Sequence, residues 1–344
     1  MRNGVRCSTA LAYLDPAKAR SNLNVMIGSQ VEKLLFDGQT AIGVQLRNGN
    51  QTRRVMAEKE VIVSAGAYGS PHLLMLSGIG ERAHLESFGI QVVSELNGVG
   101  QNLQDHVVAP LRYRSVPGAS VSNELNSTLG RLKLGAEWLL FKTGFGATHF
   151  FEVGAFFKSS DDVDYYNMQH EFLPFLADFQ SGKVHISDGF QYFVSQMRPF
   201  SRGRVRLKSA DFKQKAAISF NYLTDRRDTV EMIHGIRKTM QMADQGAWSK
   251  YRLQEVDTPT AGASDAELEQ WLRQVANTEH HPSGTCRMGT DDLAVTDGAG
   301  RVYGVNNLRV VDSSILPRVP SANINAPTIM VAEKIASAIV AAQR

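Results

Sequence analysis

Cysteine is scarce in this 344-residue chain, which carries only Cys7 and Cys286, far apart in sequence. Two such residues give no disulfide framework and no metal-spaced or redox pair, as suits a reducing compartment. Long hydrophobic runs are also missing. No apolar stretch reaches the roughly 20 residues of a membrane-spanning helix, and the N-terminus MRNGVRCSTALAYLDP has no signal-peptide core. The chain is therefore expected in the cytoplasm or at most peripheral on the inner membrane. Charge of one sign is missing too, because 37 basic and 34 acidic residues leave a formal net charge of +3. Apart from Arg202, Arg204 and Arg206 the basic residues are dispersed, so nothing points to nucleic acid. There is no internal repeat, no low-complexity tract and no G-x-S-x-G of a serine hydrolase.

What the chain does have is length for two domains and an apolar fraction of 43% that supports a large core. Residues 8–20 read as helical, and NLNVMIGSQVEKLLFD and AIGVQLRN read as antiparallel strands with turns at Asp37-Gly38 and Asn48-Gly49. EKEVIVSAGAYGSPHLLML reads as a strand, a glycine-rich turn and a helix. That turn packs Ser64, Ala65, Gly66, Ala67 and Gly69 together, which lets backbone approach a ligand closely. From about Pro110 the aromatic and β-branched segments VGAFFKS, YYNMQHEFLPF, FQYFVSQMRP and GRVRLKS predict a largely antiparallel sheet. Helices are expected over 227–246 and 264–276, the second with Ser264 and Glu267 as a capping box. LRVVDSSILPRVP predicts a buried strand and turn, and APTIMVAEKIASAIVAAQ an Ala-rich helix with Pro327 in its first turn.

Gly78, Gly80 and Ala83 in LLMLSGIGERAHLESFG match the letters of a dinucleotide fingerprint, with Glu95 where a ribose-binding acid would fall. A true fingerprint needs a strand before the first glycine and a helix after it. Here LLMLS reads as the end of a helix entered through Ser70 as N-cap and Pro71, and Gly78 as its stop. The match is therefore read as accidental.

SAGAYGSPHLLMLSGIG, VGQNLQDH, SRGRVRLKS, HPSGTCRMG and VVDSSILPRVPSANINAPTIMVAEK together resemble, in order, segments of the glucose-methanol-choline oxidoreductases. HFFEVGAF and MQHEFLPF are similar to its choline-dehydrogenase-like branch. The resemblance implies an α/β (α+β) fold: an incomplete FAD-binding, Rossmann-like domain over 1–109, a substrate domain on an antiparallel sheet over 110–276, and an active-site segment over 277–344 that returns to the first. It implies FAD as cofactor, a small-molecule alcohol such as choline or another primary alcohol as substrate, and oxygen or a quinone as electron acceptor. Because the family's β-α-β fingerprint unit is not recognisable before Met1, the chain is expected to lack that N-terminal part. The competing expectation is an inactive fragment that needs a missing N-terminal segment or partner chain.

Site residues follow from the same resemblance. His281 takes the role of base and hydrogen-bond partner for the hydroxyl, a task suited to imidazole's near-neutral pKa, with His280 a bystander. Asn325 holds the substrate oxygen, since an amide both donates and accepts; from the residues alone it is equally a helix cap. Val31, Ala65, Gly66, Asp312, Ser313, Pro327 and Thr328 match cofactor-contacting positions, although Asp312 also reads as a turn residue and Val31 as core. Glu152 and Phe151 could receive a quaternary ammonium group, or Glu152 could be a solvated side chain. A zinc site from His280, His281 and Cys286 does not have a usual ligand spacing, and no metal is expected.

Overall fold

The computed structural model describes residues 1–151, 153–180 and 183–342. The chain divides into two compact units: Met26–Val107, Met197–Asp228 and Thr278–Arg344 make the larger, and Met1–Val25, Val108–Gln196 and Thr229–Asn277 the smaller. This differs from the expected division in two places. Residues 1–25 fall in the smaller unit, where the Trp138 indole N–H donates to the Gly4 carbonyl at 2.8 Å. Residues 197–228 fall in the larger one, because Val205 and Leu207 join its core with Leu74, Leu103 and Val310.

In the larger unit, Ser29–Asp37, Thr40–Asn48 and Gln51–Met56 form an antiparallel meander. Both connections are two-residue loops whose first residue is a glycine at positive φ, Gly38 and Gly49, a geometry that matches the twist of the paired strands. Val61–Val63 pairs in parallel with Leu308–Val310. The chain then turns into the helix Gly66–Leu76.

That helix starts five residues earlier than expected, with Ala65 rather than Ser70 as N-cap. Ser70 and Pro71 lie inside it, and both are accommodated by residues distant in sequence. Pro71 offers no N–H to the Ala67 carbonyl one turn back; the Thr285 hydroxyl donates to that carbonyl instead, at 2.6 Å. Ser70 Oγ accepts from Ala65 N at 3.0 Å and donates to Asp312. The helix does end where Gly78 predicts, with Gly78 at φ 86°. After it come a two-residue strand, Ile79–Gly80, and a helix of only five residues, Arg82–Glu86. Glu95 is ion-paired with Arg82 at 2.9 Å. SGIGERA therefore lacks the strand-then-helix frame of a fingerprint.

The smaller unit is built on a sheet whose strands run Arg252–Glu255, Val107–Ser115, Phe190–Gln196, Met168–Leu173 and Val153–Phe157, each antiparallel to its neighbour. Tyr113, Phe172, Phe190, Tyr192 and Trp248 pack together on it. The expected helices appear as Arg226–Ala243 and Asp265–Val275, the latter with the full Ser264/Glu267 capping box. Gly235 lets the first of these lie on Met168, whose Cε would be 2.4 Å from an added Cβ.

The sheet also buries a titratable group. His170 Nε2 lies 2.6 Å from Thr239 Oγ1, which itself donates to the Gly235 carbonyl, so the imidazole is the donor. Burial pulls the His170 pKa down to about 4. As pH falls from about 6.5, the usual value of an unfolded histidine, the unfolded chain takes a proton that the folded one refuses, and stability is lost until the folded pKa is reached. All three tryptophans, Trp138, Trp248 and Trp271, lie in this unit and report its unfolding. His170→Gln keeps an N–H donor for Thr239 without titrating. Urea unfolding followed by tryptophan fluorescence at pH 7 and 4.5 should therefore lose roughly 2 kcal/mol less in the variant than in the wild type; equal losses would show that His170 does not set the acid sensitivity.

Candidate active site

The turn after Val61–Val63 shapes one side of a cleft of about 440 Å³ in the larger unit. Ala65, Gly66, Ala67 and Tyr68 line it, with His280, His281, Pro282, Ser313, Ile324, Asn325 and Thr328. Gly66 has φ +78°, which L side chains rarely adopt, and a Cβ there would meet no atom within 4 Å. Bare backbone thus faces open space at this point. The starts of two helices, Gly66–Leu76 and Asn325–Ala342, open into the same cleft. The Asp312 carboxylate already answers the first dipole at Gly66 N, and the start of Asn325–Ala342 favours negative charge in the cleft.

His281 is the deepest titratable group of the cleft, with 9% relative exposure. Its backbone N–H donates to Asp105 Oδ1 at 2.9 Å. The other carboxylate oxygen of Asp105 accepts from Tyr222 OH at 2.7 Å and from the Thr278 hydroxyl. Burial raises the Asp105 pKa, and these hydrogen bonds to its charged form oppose that rise. The side chain of His281 meets His106: the two Nδ1 atoms are 2.9 Å apart, with the rings edge to face. His106 Nε2 lies 2.8 Å from the Pro320 carbonyl. Burial, and then the neighbouring His281, pull the His106 pKa down to about 4. Tyr68 is pushed up to about 12, chiefly by burial, and stays protonated. His280 is exposed, at φ 61°, and its backbone N–H is held by Thr278 Oγ1 at 2.9 Å.

Of the residues singled out from sequence, the structure gathers Ala65, Gly66, His281, Ser313, Asn325 and Thr328 around this one cleft. Pro327 stands in the first turn of its helix, where a missing N–H costs nothing. Asp312 has its side chain turned to other work. It accepts from Gly66 N at 2.9 Å, Ser70 Oγ at 2.5 Å and Ser314 N at 2.8 Å. Val31 is not among the lining residues; it is 36% exposed on the meander, beside a bulge at Glu32. Phe151 belongs to the smaller unit and packs against Phe193, ring centroids 5.7 Å apart. Glu152 lies outside the described residues. His106, Asp105 and Tyr222 also belong to the site, although no motif in the sequence singles them out. The first two sit in VGQNLQDH, where a polar Asp-His pair runs directly into the apolar strand Val107–Ser115.

The scaffold is that of an α/β oxidoreductase. The chain superposes on formate oxidase with a TM-score of 0.91 and 25% identity, covering 99% of this chain and 64% of that one. For pyridoxine 4-oxidase from Mesorbium loti the TM-score is 0.84 at 25% identity, with 98% and 62% covered. The chain belongs to the GMC oxidoreductase family, whose N-terminal model matches residues 1–108 and whose C-terminal model matches residues 199–332. The expectation that it lacks the family's N-terminal part is therefore not borne out, and neither an inactive fragment nor a missing partner chain finds support. It is 42% identical over 339 residues to oxygen-dependent choline dehydrogenase 1 of Chromohalobacter salexigens, and 44% identical over 338 residues to oxygen-dependent choline dehydrogenase of Pseudomonas fluorescens. These alignments cover 98% of this chain and 60% and 59% of the two relatives. The chain thus spans about 60% of the length of the curated relatives it matches.

Asp312 is the bracket of the cleft, and its removal should be felt as stability. Asp312→Ala leaves the Gly66 and Ser314 N–H groups without an acceptor. A loss of roughly 3 kcal/mol in chemical denaturation is expected; a loss below about 1 kcal/mol would mean that water replaces the carboxylate without penalty.

Proposed function

We propose that this chain carries the alcohol-oxidising site of an FAD-dependent oxidoreductase. The observation that carries the reading is the meeting of His281 and Asn325 at one cleft with the bare Ala65–Gly66 turn and two helix starts. The cleft fits FAD in kind: the bare Gly66 Cα lets the cofactor approach closely, and the start of Asn325–Ala342 suits its anionic part. Ala65, Gly66, Ser313, Pro327 and Thr328 would hold it. FAD, when bound, supplies the acceptor for the hydride leaving the alcohol carbon.

The protein's own residues handle the oxygen and its proton. His281 takes the hydroxyl proton as the C–H bond is broken, which asks for a neutral imidazole. Asn325 donates its amide N–H to the oxygen as negative charge gathers there. The buried Asp105 carboxylate fixes the backbone of His281, so the ring need not be ordered during reaction. For substrate we infer a small primary alcohol, choline first. The names of the relatives support this choice. Oxygen is the proposed electron acceptor on the same ground.

The test is anaerobic. The chain is loaded with FAD, freed of unbound cofactor, mixed with choline or other primary alcohols, and the visible flavin absorbance is followed. Wild type should bleach. His281→Ala should retain flavin and bleach about 10²–10⁴-fold more slowly, and Asn325→Ala about 10²-fold more slowly. Bleaching at the wild-type rate in His281→Ala would sink the reading. Bleaching by other alcohols but not by choline would remove only the choice of substrate.

A further inference from the structure

We propose that His106 is a positioning residue that fixes His281 in the tautomer protonated on Nδ1, leaving the Nε2 lone pair as the base. His106 Nε2 is 2.8 Å from the carbonyl of Pro320, and a carbonyl can only accept, so Nε2 of His106 carries a proton. A histidine protonated on both nitrogens is excluded near neutral pH, because burial and the nearby His281 hold the His106 pKa at about 4 despite the opposing pull of the Pro320 and Met197 carbonyls. The Nδ1 atom of His106 is then a bare lone pair. It lies 2.9 Å from Nδ1 of His281. Two ring nitrogens at that separation need one proton between them, and only His281 can supply it. Neutral His281 therefore has Nδ1–H and an unprotonated Nε2.

The consequence for chemistry rests on the function proposed above; the tautomer does not. When the O–H bond of the alcohol breaks and an N–H bond forms at Nε2, the resulting imidazolium still donates its Nδ1–H to His106. The same hydrogen bond thus serves both protonation states of His281, and the base needs no rearrangement between them. Without an acceptor at Nδ1, a neutral histidine favours the opposite tautomer, with Nε2 protonated and unable to take the proton. His106 acts here as a carboxylate does in other sites that orient a histidine, but without a charge. Its low pKa also keeps it from drawing the proton away from His281. The neighbour in sequence, Asp105, holds the backbone of His281, so two consecutive residues set both the position of the main chain and the tautomer of the ring.

The chain has nine histidines, few enough for long-range ¹H–¹⁵N correlation of the imidazole nitrogens in protein labelled with ¹⁵N-histidine. His281→Ala identifies the His281 signals. The wild type should show His281 protonated on Nδ1 and His106 on Nε2. In His106→Leu, which offers no acceptor, His281 should switch to the Nε2–H pattern, and alcohol-dependent flavin bleaching should fall about 10²-fold. In His106→Asn a carboxamide oxygen can occupy the place of Nδ1, so the Nδ1–H pattern should persist and most of the rate should return. Thermal melting of each variant separates this from a loss of fold, and the wild-type spectrum is decisive even if His106→Leu fails to fold. A wild-type His281 protonated on Nε2 would overturn the proposal, as would an Nδ1–H pattern that survives in His106→Leu. If the tautomers behave as described while His281→Ala oxidises alcohol normally, the positioning role stands and the proposed function falls.

Discussion

The larger unit depends on one carboxylate. Asp312 leaves the buried strand Leu308–Val310 and reaches across 246 residues of sequence to the N–H of Gly66, while also taking the hydroxyl of Ser70 and the N–H of Ser314. A charged acceptor at the start of a helix is favoured by the helix dipole, and here it also spans the ends of two parallel strands. The glycine turn is held open by this contact, since Gly66 must keep a positive φ with its backbone bare. The field of Asp312 reaches the core as well. Burial first, and Asp312 second, push the Cys286 thiol up, so this fully buried cysteine stays protonated and behaves as a small apolar filler.

Around His281 the choice is neutrality at the ring and charge at the backbone. A carboxylate placed against Nδ1 would raise the pKa of the imidazole and favour the protonated ring, which cannot act as a base. His106 accepts without that effect. The charge is instead one step away, on Asp105, where three donors satisfy it: Tyr222 OH, the Thr278 hydroxyl and the His281 N–H. Burying an ion is tolerable only when its lone pairs are filled in this way.

Local signals were legible in the sequence, and long-range ones were not. Ser264 and Glu267 announced a helix start because both halves of a capping box lie within four residues, and the box forms as read. Gly78 announced a helix stop for a similarly local reason. Ser70-Pro71 misled, since its resemblance to a helix entry is overridden by Asp312 and Thr285, which lie more than 200 residues away and satisfy the serine and the carbonyl orphaned by the proline. The family segments brought six of the proposed site residues to one cleft, yet they assigned Asp312 by position alone, and its side chain turned out to be fully engaged within the protein. His106 carried no local signal of its role, which arises from a contact across 175 residues.

The segment VGQNLQDH shows why such a motif reads as it does. After Asn102, which turns through the left-handed region at φ 60°, the backbone bridges to Gly203 through Leu103 and to Ser283 through Gln104. Asn102 and Gln104 donate to the Pro317 carbonyl at 3.3 and 3.1 Å, and His106 meets that of Pro320. Three alternate residues thus grip the loop that leads to Asn325. The residues between them turn elsewhere: Leu103 is fully buried in the core, and Asp105 takes the backbone of His281. One short segment therefore holds the loop before Asn325 with Asn102, Gln104 and His106, and the main chain of His281 with Asp105. His106 also touches the ring of His281. A shift of the Pro320 loop would withdraw the acceptor from His106 Nε2, free its tautomer, and through it free that of His281. The placement of Asn325 and the readiness of His281 to accept a proton are, on this geometry, consequences of the same few hydrogen bonds.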